Sequence, residues 1–199
     1  MRKVKRSGGK AKVFLRGRVV LAVLVALAMA APVSPASAGQ DPGIRLGYYS
    51  GADADDPVPV IGVYGRLDIP GPLNLEISAD YRQESLRDGD LEATVIPVRV
   101  SAVASFLPVV SPYLLAGVGI DYVDIGFHNE LSGLGDDSGV VLEFHAGFGV
   151  EFSLGPLSLI GDLRYCGAGA LSSDAVRRAL GHDYDPSGWY ASVSAGISF

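Results

Sequence analysis

Period-two alternation runs through the chain from about residue 44 to its end. In Leu73-Asn74-Leu75-Glu76-Ile77-Ser78-Ala79-Asp80-Tyr81-Arg82 every odd position is apolar or aromatic and every even one polar, the spacing of a strand whose two faces meet different surroundings. Seven further segments share it: Ile44–Tyr49, Val60–Ile69, Thr94–Phe106, Tyr113–Val123, Val140–Leu154, Leu157–Ala168 and Trp189–Phe199. In Val140–Leu154 the even positions, from Val140 to Phe152, form an apolar face against Glu143, His145, Gly147, Gly149 and Glu151. The pattern predicts eight strands.

Their connections alternate in length. Pro70-Gly71-Pro72, the stretch from Pro108 to Pro112 and Gly155-Pro156 read as tight turns, whereas the links near 50–58, 84–92, 125–138 and 170–188 are longer and acidic. Short turns at one end and long loops at the other describe an antiparallel up-and-down arrangement. Gly71-Pro72-Leu73-Asn74-Leu75 is echoed by Gly155-Pro156-Leu157-Ser158-Leu159, as expected of a repeated hairpin. One helix is expected, Ala175–Leu180, capped by Ser173-Asp174 and stopped by Gly181. Pro97, inside a strand, lacks a ladder donor and predicts a bulge or kink. If Pro70-Gly71-Pro72 is a three-residue turn, Ile69 faces Leu73 and Arg66 lies opposite Glu76 on the polar face.

Alternation alone does not choose between a soluble barrel, apolar inside, and a membrane barrel, apolar outside. The polar face decides. It carries no Lys, many small residues (Gly47, Gly62, Gly117, Gly119, Gly147, Gly149, Ser192, Gly196), and charges of both signs: Arg45, Arg66, Arg82, Arg99 and Arg164 against Asp68, Glu76, Asp80, Asp121, Glu143, Glu151 and Asp162, with His145 among them. Small residues and matched charges suit a crowded lumen, where enclosed charges must find partners. The apolar face is free of charge in mid-strand and bears Tyr48, Tyr81, Phe106, Tyr122, Phe152, Trp189 and Phe199 near strand ends, as interface girdles require. The expected fold is all-β, an eight-stranded antiparallel up-and-down transmembrane β-barrel, with both termini periplasmic.

Charge is uneven along the 199 residues. Eight of the 16 Lys and Arg fall in the first 18 residues, followed by the apolar run Val19–Ala31 and a small-x-small site at Ala36 and Ala38. This is the form of a secretory signal peptide, 1–38, cut after Ala38; thirteen apolar residues are too few for a membrane-spanning helix. The barrel domain, 39–199, then holds eight Arg, no Lys and all 22 acids, a formal charge of −14, which disfavours nucleic acid. One cysteine excludes a disulfide framework and thiolate metal clusters.

In these features the chain resembles the small outer-membrane β-barrels of Gram-negative bacteria, of the OmpA transmembrane-domain, OmpX and opacity-protein kind. The last strand carries the resemblance furthest: apolar at Trp189, Ala191, Val193, Ala195 and Ile197 and ending on Phe199, it is similar to the signal by which the assembly machinery of that family recognises its clients. Ser111–Tyr122 and Gly147–Phe152 are similar to its strand motifs. The resemblance implies residence in the outer membrane, contact with membrane lipid and lipopolysaccharide, and a monomer.

Candidate chemistry is sparse. Gly117-Val118-Gly119 lacks the third glycine of a dinucleotide loop and lies in a strand. Some barrels of this kind are lipid A hydrolases or acyltransferases; His128 and His182 lie in loops with Ser132, Ser138, Ser172, Ser173, Asp136 and Asp183, and His145 sits two residues from Glu143. His145-Ala146-Gly147-Phe148 departs from the His-x-Ser-Asn signature of the deacylases. Asp53, Asp55, Asp56, Asp136 and Asp137 offer oxygen ligands for Ca²⁺ or for divalent bridges to lipopolysaccharide phosphates, but no calcium loop surrounds them and they read as solvated loop acids; Cys166, opposite His145 if Gly155-Pro156 is a two-residue turn, reads as a space filler. No catalytic, metal or cofactor site is expected. The favoured role is structural or surface-interacting, with acidic loops displayed on a plugged barrel; the alternatives are a narrow porin-like channel and a lipid A-modifying enzyme.

Overall fold

The computed structural model describes residues 40–69, 73–107, 110–127 and 137–198. The leader 1–38, the turn Pro70-Gly71-Pro72, Pro108, His128, Ser132, Asp136 and the final Phe199 lie outside the described residues. Eight strands close into one antiparallel barrel in chain order, β1 pairing with β8. They are β1 Gln40–Gly51, β2 Val58–Asp68, β3 Leu73–Leu86, β4 Leu91–Ser105, β5 Val110–Phe127, β6 Asp137–Leu154, β7 Leu157–Ala168 and β8 Gly188–Ile197. Among the described residues a single helix, α1 (Asp174–Leu180), lies between β7 and β8. Closure pairs every strand on both sides, the condition for crossing hydrocarbon with no unpaired edge.

The apolar face is outside. Leu142, Phe144 and Val193 are 64–66% exposed, while Arg45, Glu76, Asp121 and Arg164 are wholly buried. The nine tyrosines divide by parity: Tyr48, Tyr81, Tyr122 and Tyr165 point outward and, with Trp189, ring the barrel near its loop end, while Tyr49, Tyr64, Tyr113, Tyr184 and Tyr190 are buried.

At that ring the pattern inverts. On β5 the inward residue below Tyr122 is Asp121, but above it come Val123, Ile125 and Phe127, while outward positions turn to Asp124 and Gly126. β3 does the same, with Gln83 and Ser85 outward and Leu86 inward, as does β4 with Leu91, Ala93 and Val95 inward. Past the hydrocarbon, water covers the outside, so the barrel end is built as a soluble protein is. This corrects the expected long loop at 84–92: the alternation only changes parity there, and β3 runs to Leu86 and turns through 87–90 into β4. Arg87 and Asp88 both take positive φ in that turn, 53° and 52°.

The long connection 169–187 is also not a free loop. Ser173 accepts the Val176 N–H at 3.1 Å and Gly181 closes α1 in the left-handed conformation, φ 84°, as the cap residues dictate. Val176, Ala179 and Tyr184 pack onto Leu86, Leu91, Val95, Val123, Ile125, Phe127 and Val141, an apolar core that plugs the barrel mouth. The expected bulge at Pro97 is absent: the β3–β4 ladder skips Asp80/Pro97 and Tyr81/Ile96 and resumes in the same register, while the β4–β5 ladder runs through Pro97 unbroken. The missing N–H interrupts one ladder without adding a residue.

Candidate functional site

Parity gathers the buried ionisable groups of this chain in the lumen. Arg66 lies opposite Glu76, with its Nε 3.0 Å from Glu76 Oε2 and its Nη1 2.6 Å from Glu151 Oε2. Glu76 also receives Arg45 Nη2 at 2.7 Å and Arg164 Nη2 at 2.9 Å on Oε1. Three guanidiniums therefore share one wholly buried carboxylate. Arg164 Nε reaches Asp162 Oδ1 at 2.8 Å, and Arg45 Nε donates to Ser194 Oγ at 3.1 Å.

One layer further toward the loop end, Arg99 grips Glu143 with Nε and Nη2 at 2.6 and 2.7 Å and gives Nη1 to Asp80 Oδ2 at 2.6 Å. Beyond it, Arg82 Nε pairs with Glu84 Oε1 at 2.6 Å, and Asp121 Oδ2 stands 3.9 Å from Arg82 Nη2. Tyr184 donates to Glu84 Oε2 at 2.7 Å, and Tyr49 donates to the Pro186 carbonyl, tying the plug to the charges beneath it. Asp68 stands apart from this network, exposed at the turn end opposite Asn74.

Two structural devices make the packing work. The first is aromatic. Each buried arginine stands over a lumen tyrosine: Arg45 over Tyr64, Arg66 over Tyr113, Arg82 over Tyr49, Arg99 and Arg164 over Tyr190, at 3.8 to 6.0 Å from the ring centres. Such stacking favours a guanidinium stripped of water.

The second device is a glycine on an intervening strand. Gly119 lies between Arg99 of β4 and Glu143 of β6, and Gly117 between Ser101 and His145. With no side chain in the way, Arg99 bonds Glu143 and Ser101 Oγ comes 2.8 Å from His145 Nε2 across β5. Gly149 likewise lets the Tyr113 hydroxyl reach Asp162 Oδ2 at 3.3 Å.

Ser101, His145 and Glu143 have the spacing of a serine hydrolase relay, with His145 Nδ1 3.1 Å from Glu143 Oε1. They are 1%, 4% and 1% exposed and Glu143 is already held by Arg99, so the arrangement offers a substrate carbonyl no approach and serves as a bridge between strands. Cys166 lies opposite His145 across the two-residue turn Gly155-Pro156 and is buried. Among the loop candidates, Ser173 is used as the cap of α1, and His182 Nδ1 meets the Asp183 carbonyl at 2.8 Å. The two hydrogen bonds from Arg177 hold the partly exposed Asp183 carboxyl below its usual range. Ser101, Glu84, Tyr49, Tyr64 and Tyr113 escape the sequence reading, although each shares the parity of a charged residue on its own strand, while Tyr190 falls on the polar face of the last strand.

Residues 20–196 match the outer membrane protein beta-barrel domain family. The chain belongs to that family. It is an outer-membrane protein, and no curated protein matches its sequence. Neisserial surface protein A is 12% identical, with TM-score 0.60 over 81% of this chain and 97% of that one. A major outer membrane protein of Thermus thermophilus is 13% identical, with TM-score 0.62 over 82% and 100%. The N-terminal barrel of Pseudomonas aeruginosa OprF is 10% identical, with TM-score 0.54 over 82% and 100%. At these identities the likeness is one of fold.

Two outcomes are expected of variants refolded into lipid vesicles and unfolded with denaturant. Gly117→Ala places a methyl 2.1 Å from the Val100 carbonyl oxygen and 2.6 Å from His145 Nε2, so it should cost at least about 1–3 kcal/mol. Gly65→Ala, on the lipid side with nothing within 4 Å, should be close to neutral; equal effects would contradict the bridging role of Gly117. Glu76→Ala takes the shared carboxylate from three guanidiniums, leaving Arg45 without a close carboxylate while Arg66 keeps Glu151 and Arg164 keeps Asp162, and should cost about 3–5 kcal/mol. Arg66→Ala leaves Glu76 two partners, so it should cost clearly less, and the reverse order would show that Glu76 is not the shared counterion.

Proposed function

We propose that this barrel is a closed structural protein of the outer membrane whose working surface is its extracellular end. The observation that supports this reading most is double closure of the lumen. Five arginines and their carboxylates fill the membrane-level section, and the apolar core under α1 covers the loop-side mouth. An eight-stranded barrel has room only for side chains. A water path would have to break ion pairs that are buried on both sides, which favours a plug over a narrow channel. The enzyme reading is weaker for the same reason, because the hydrolase-like relay is sealed.

Unlike the sequence expectation, in which acidic loops are simply displayed, the largest extracellular segment is rigidly packed, so the surface it offers is pre-formed. Within this proposal, residues 1–38 are a cleaved leader, the protein is a monomer in contact with lipid and lipopolysaccharide, and the outward stripe of Trp189 and Ile197, continued to Phe199, is what the assembly machinery reads.

Planar-bilayer recordings on purified protein test the closed lumen: the expected trace lacks sustained open steps, and steady porin-like conductance would overturn it. Lipid A from cells with and without the protein should give the same mass spectrum. For the assembly signal, a chain ending at Ser198 should accumulate unassembled in cells while the same chain refolds in vitro with near-normal stability; normal insertion in cells would sink the claim.

A further inference from the structure

The barrel domain holds eight arginines and no lysine. Five are sealed in the lumen. The other three, Arg87, Arg177 and Arg178, all lie at the extracellular end, and two of them border the same groove. Arg87 and Arg178 line one open groove of about 540 Å³ with His182, Asp53 and the last residues of α1, Ala179 to Gly181. Its walls come from three separate segments: the β1–β2 link, the β3–β4 turn and the plug.

Arg87 is held there at a cost. Its φ of 53° is unfavourable for a residue with a side chain; its carbonyl accepts the Asp90 N–H at 3.1 Å within the turn, and its Nη1 donates to the Ala179 carbonyl. That bond engages one edge of the guanidinium. Arg178 gives its Nε to the Asp174 carbonyl at 2.9 Å, which leaves its two Nη groups for a ligand. His182 engages Nδ1 with the Asp183 carbonyl, leaving Nε2. Arg177, by contrast, is consumed by Asp183 through both Nε and Nη2.

We infer that this groove binds a sugar carrying a single oxyanion, a phosphate or a carboxylate. Arg87 and Arg178 match the anion, since guanidinium groups bind planar or tetrahedral oxyanions through paired N–H donors. Asp53 supplies the sugar side: it accepts the Asp185 N–H at 2.7 Å and lies 3.8 Å from His182 Nδ1, and a carboxylate so placed accepts sugar hydroxyls. The volume is within the range of small-molecule sites.

Two surroundings narrow the ligand further. Asp55, Asp56, Asp88, Asp90, Asp174, Asp183 and Asp185 share this end of the barrel, and their field repels polyanions, leaving a small ligand with one anionic group the favoured guest. Leu86 is five residues above Tyr81 of the aromatic ring on β3, roughly 13 Å along a tilted strand. The interfacial layer is only about 5–7 Å deep on each side, so the groove stands beyond the headgroups of phospholipids and meets sugars, free or carried on a glycolipid.

This inference rests on the reading that the extracellular end is the working surface, and the experiment separates the two. The whole barrel domain is placed in phosphatidylcholine nanodiscs and titrated with glucose 6-phosphate, galacturonate and glucose, while the backbone amides of Gly181 and His182 are followed by NMR. The two charged sugars should shift these amides saturably and glucose should not. R178Q should weaken binding about tenfold, with unchanged spectra elsewhere showing that it folds; H182Q should weaken it less. In discs containing lipopolysaccharide, a loss of apparent affinity identifies the glycolipid as the source of the ligand, and unchanged affinity identifies a soluble sugar. Identical shifts with glucose, no saturation by either charged sugar, or full affinity in R178Q overturns the proposal. A barrel that conducts yet binds these sugars overturns only the closed-lumen reading.

Discussion

Three guanidiniums converge on the carboxylate of Glu76, with Glu151 and Asp162 as the further counterions of Arg66 and Arg164, because a charge inside the barrel has only other side chains to neutralise it. Closing eight strands leaves an interior of side-chain width, and a charge enclosed there loses the water that would otherwise stabilise it. Every arginine must then be matched by carboxylates, by hydroxyls or by an aromatic face, and all three kinds of match occur. The same demand explains the glycines. A partner two strands away comes within bonding distance only when the residue between is bare, as Gly119 is between Arg99 and Glu143 and Gly117 between Ser101 and His145. The barrel is thus held by backbone ladders around its circumference and by ion pairs across it.

The lipid imposes the complementary demand on the outside. Removing one charge from the lumen leaves its partner stranded, whereas swapping one apolar residue for another on the outer face changes little, because hydrocarbon accepts any such surface. Constraint therefore concentrates on one parity of each strand. Tyrosine shows how completely position rules over residue type. Tyr48 faces the membrane and its neighbour Tyr49 is sealed against Arg82.

This division is also why so much was legible in the sequence. Parity assigned the faces, the turn at Pro70-Gly71-Pro72 fixed Arg66 against Glu76, and Ser173 and Gly181 bounded the helix. What parity does not tell is which strands stand opposite one another across the closed lumen. The sharing of Glu76 by Arg45, Arg66 and Arg164, and the bond between Tyr184 and Glu84, depend on closure and were hidden for that reason. The region 84–92 reads as a loop on different grounds: Leu86 and Leu91 are apolar on the face that is charged lower down, so the alternation breaks off in the sequence where in the fold it only changes sign.

That change of sign has a consequence for the loop end of the barrel. Loops on a membrane barrel are ordinarily ordered only by their own short contacts, but here the strands continue past the aromatic ring and build a core of their own, with Val176 and Ala179 of α1 at its centre. The core orders what it covers. Arg87, Asp53 and His182 belong to three connections remote in sequence, and the first two are tied to the segment that bears the third, Arg87 through the Ala179 carbonyl and Asp53 through Asp185, next to the buried Tyr184. A surface assembled in this way is pre-organised, and a ligand meeting it would not have to bear the entropy of ordering three loops. The apolar plug that closes the barrel is therefore the same structure that gives its outer surface a fixed shape.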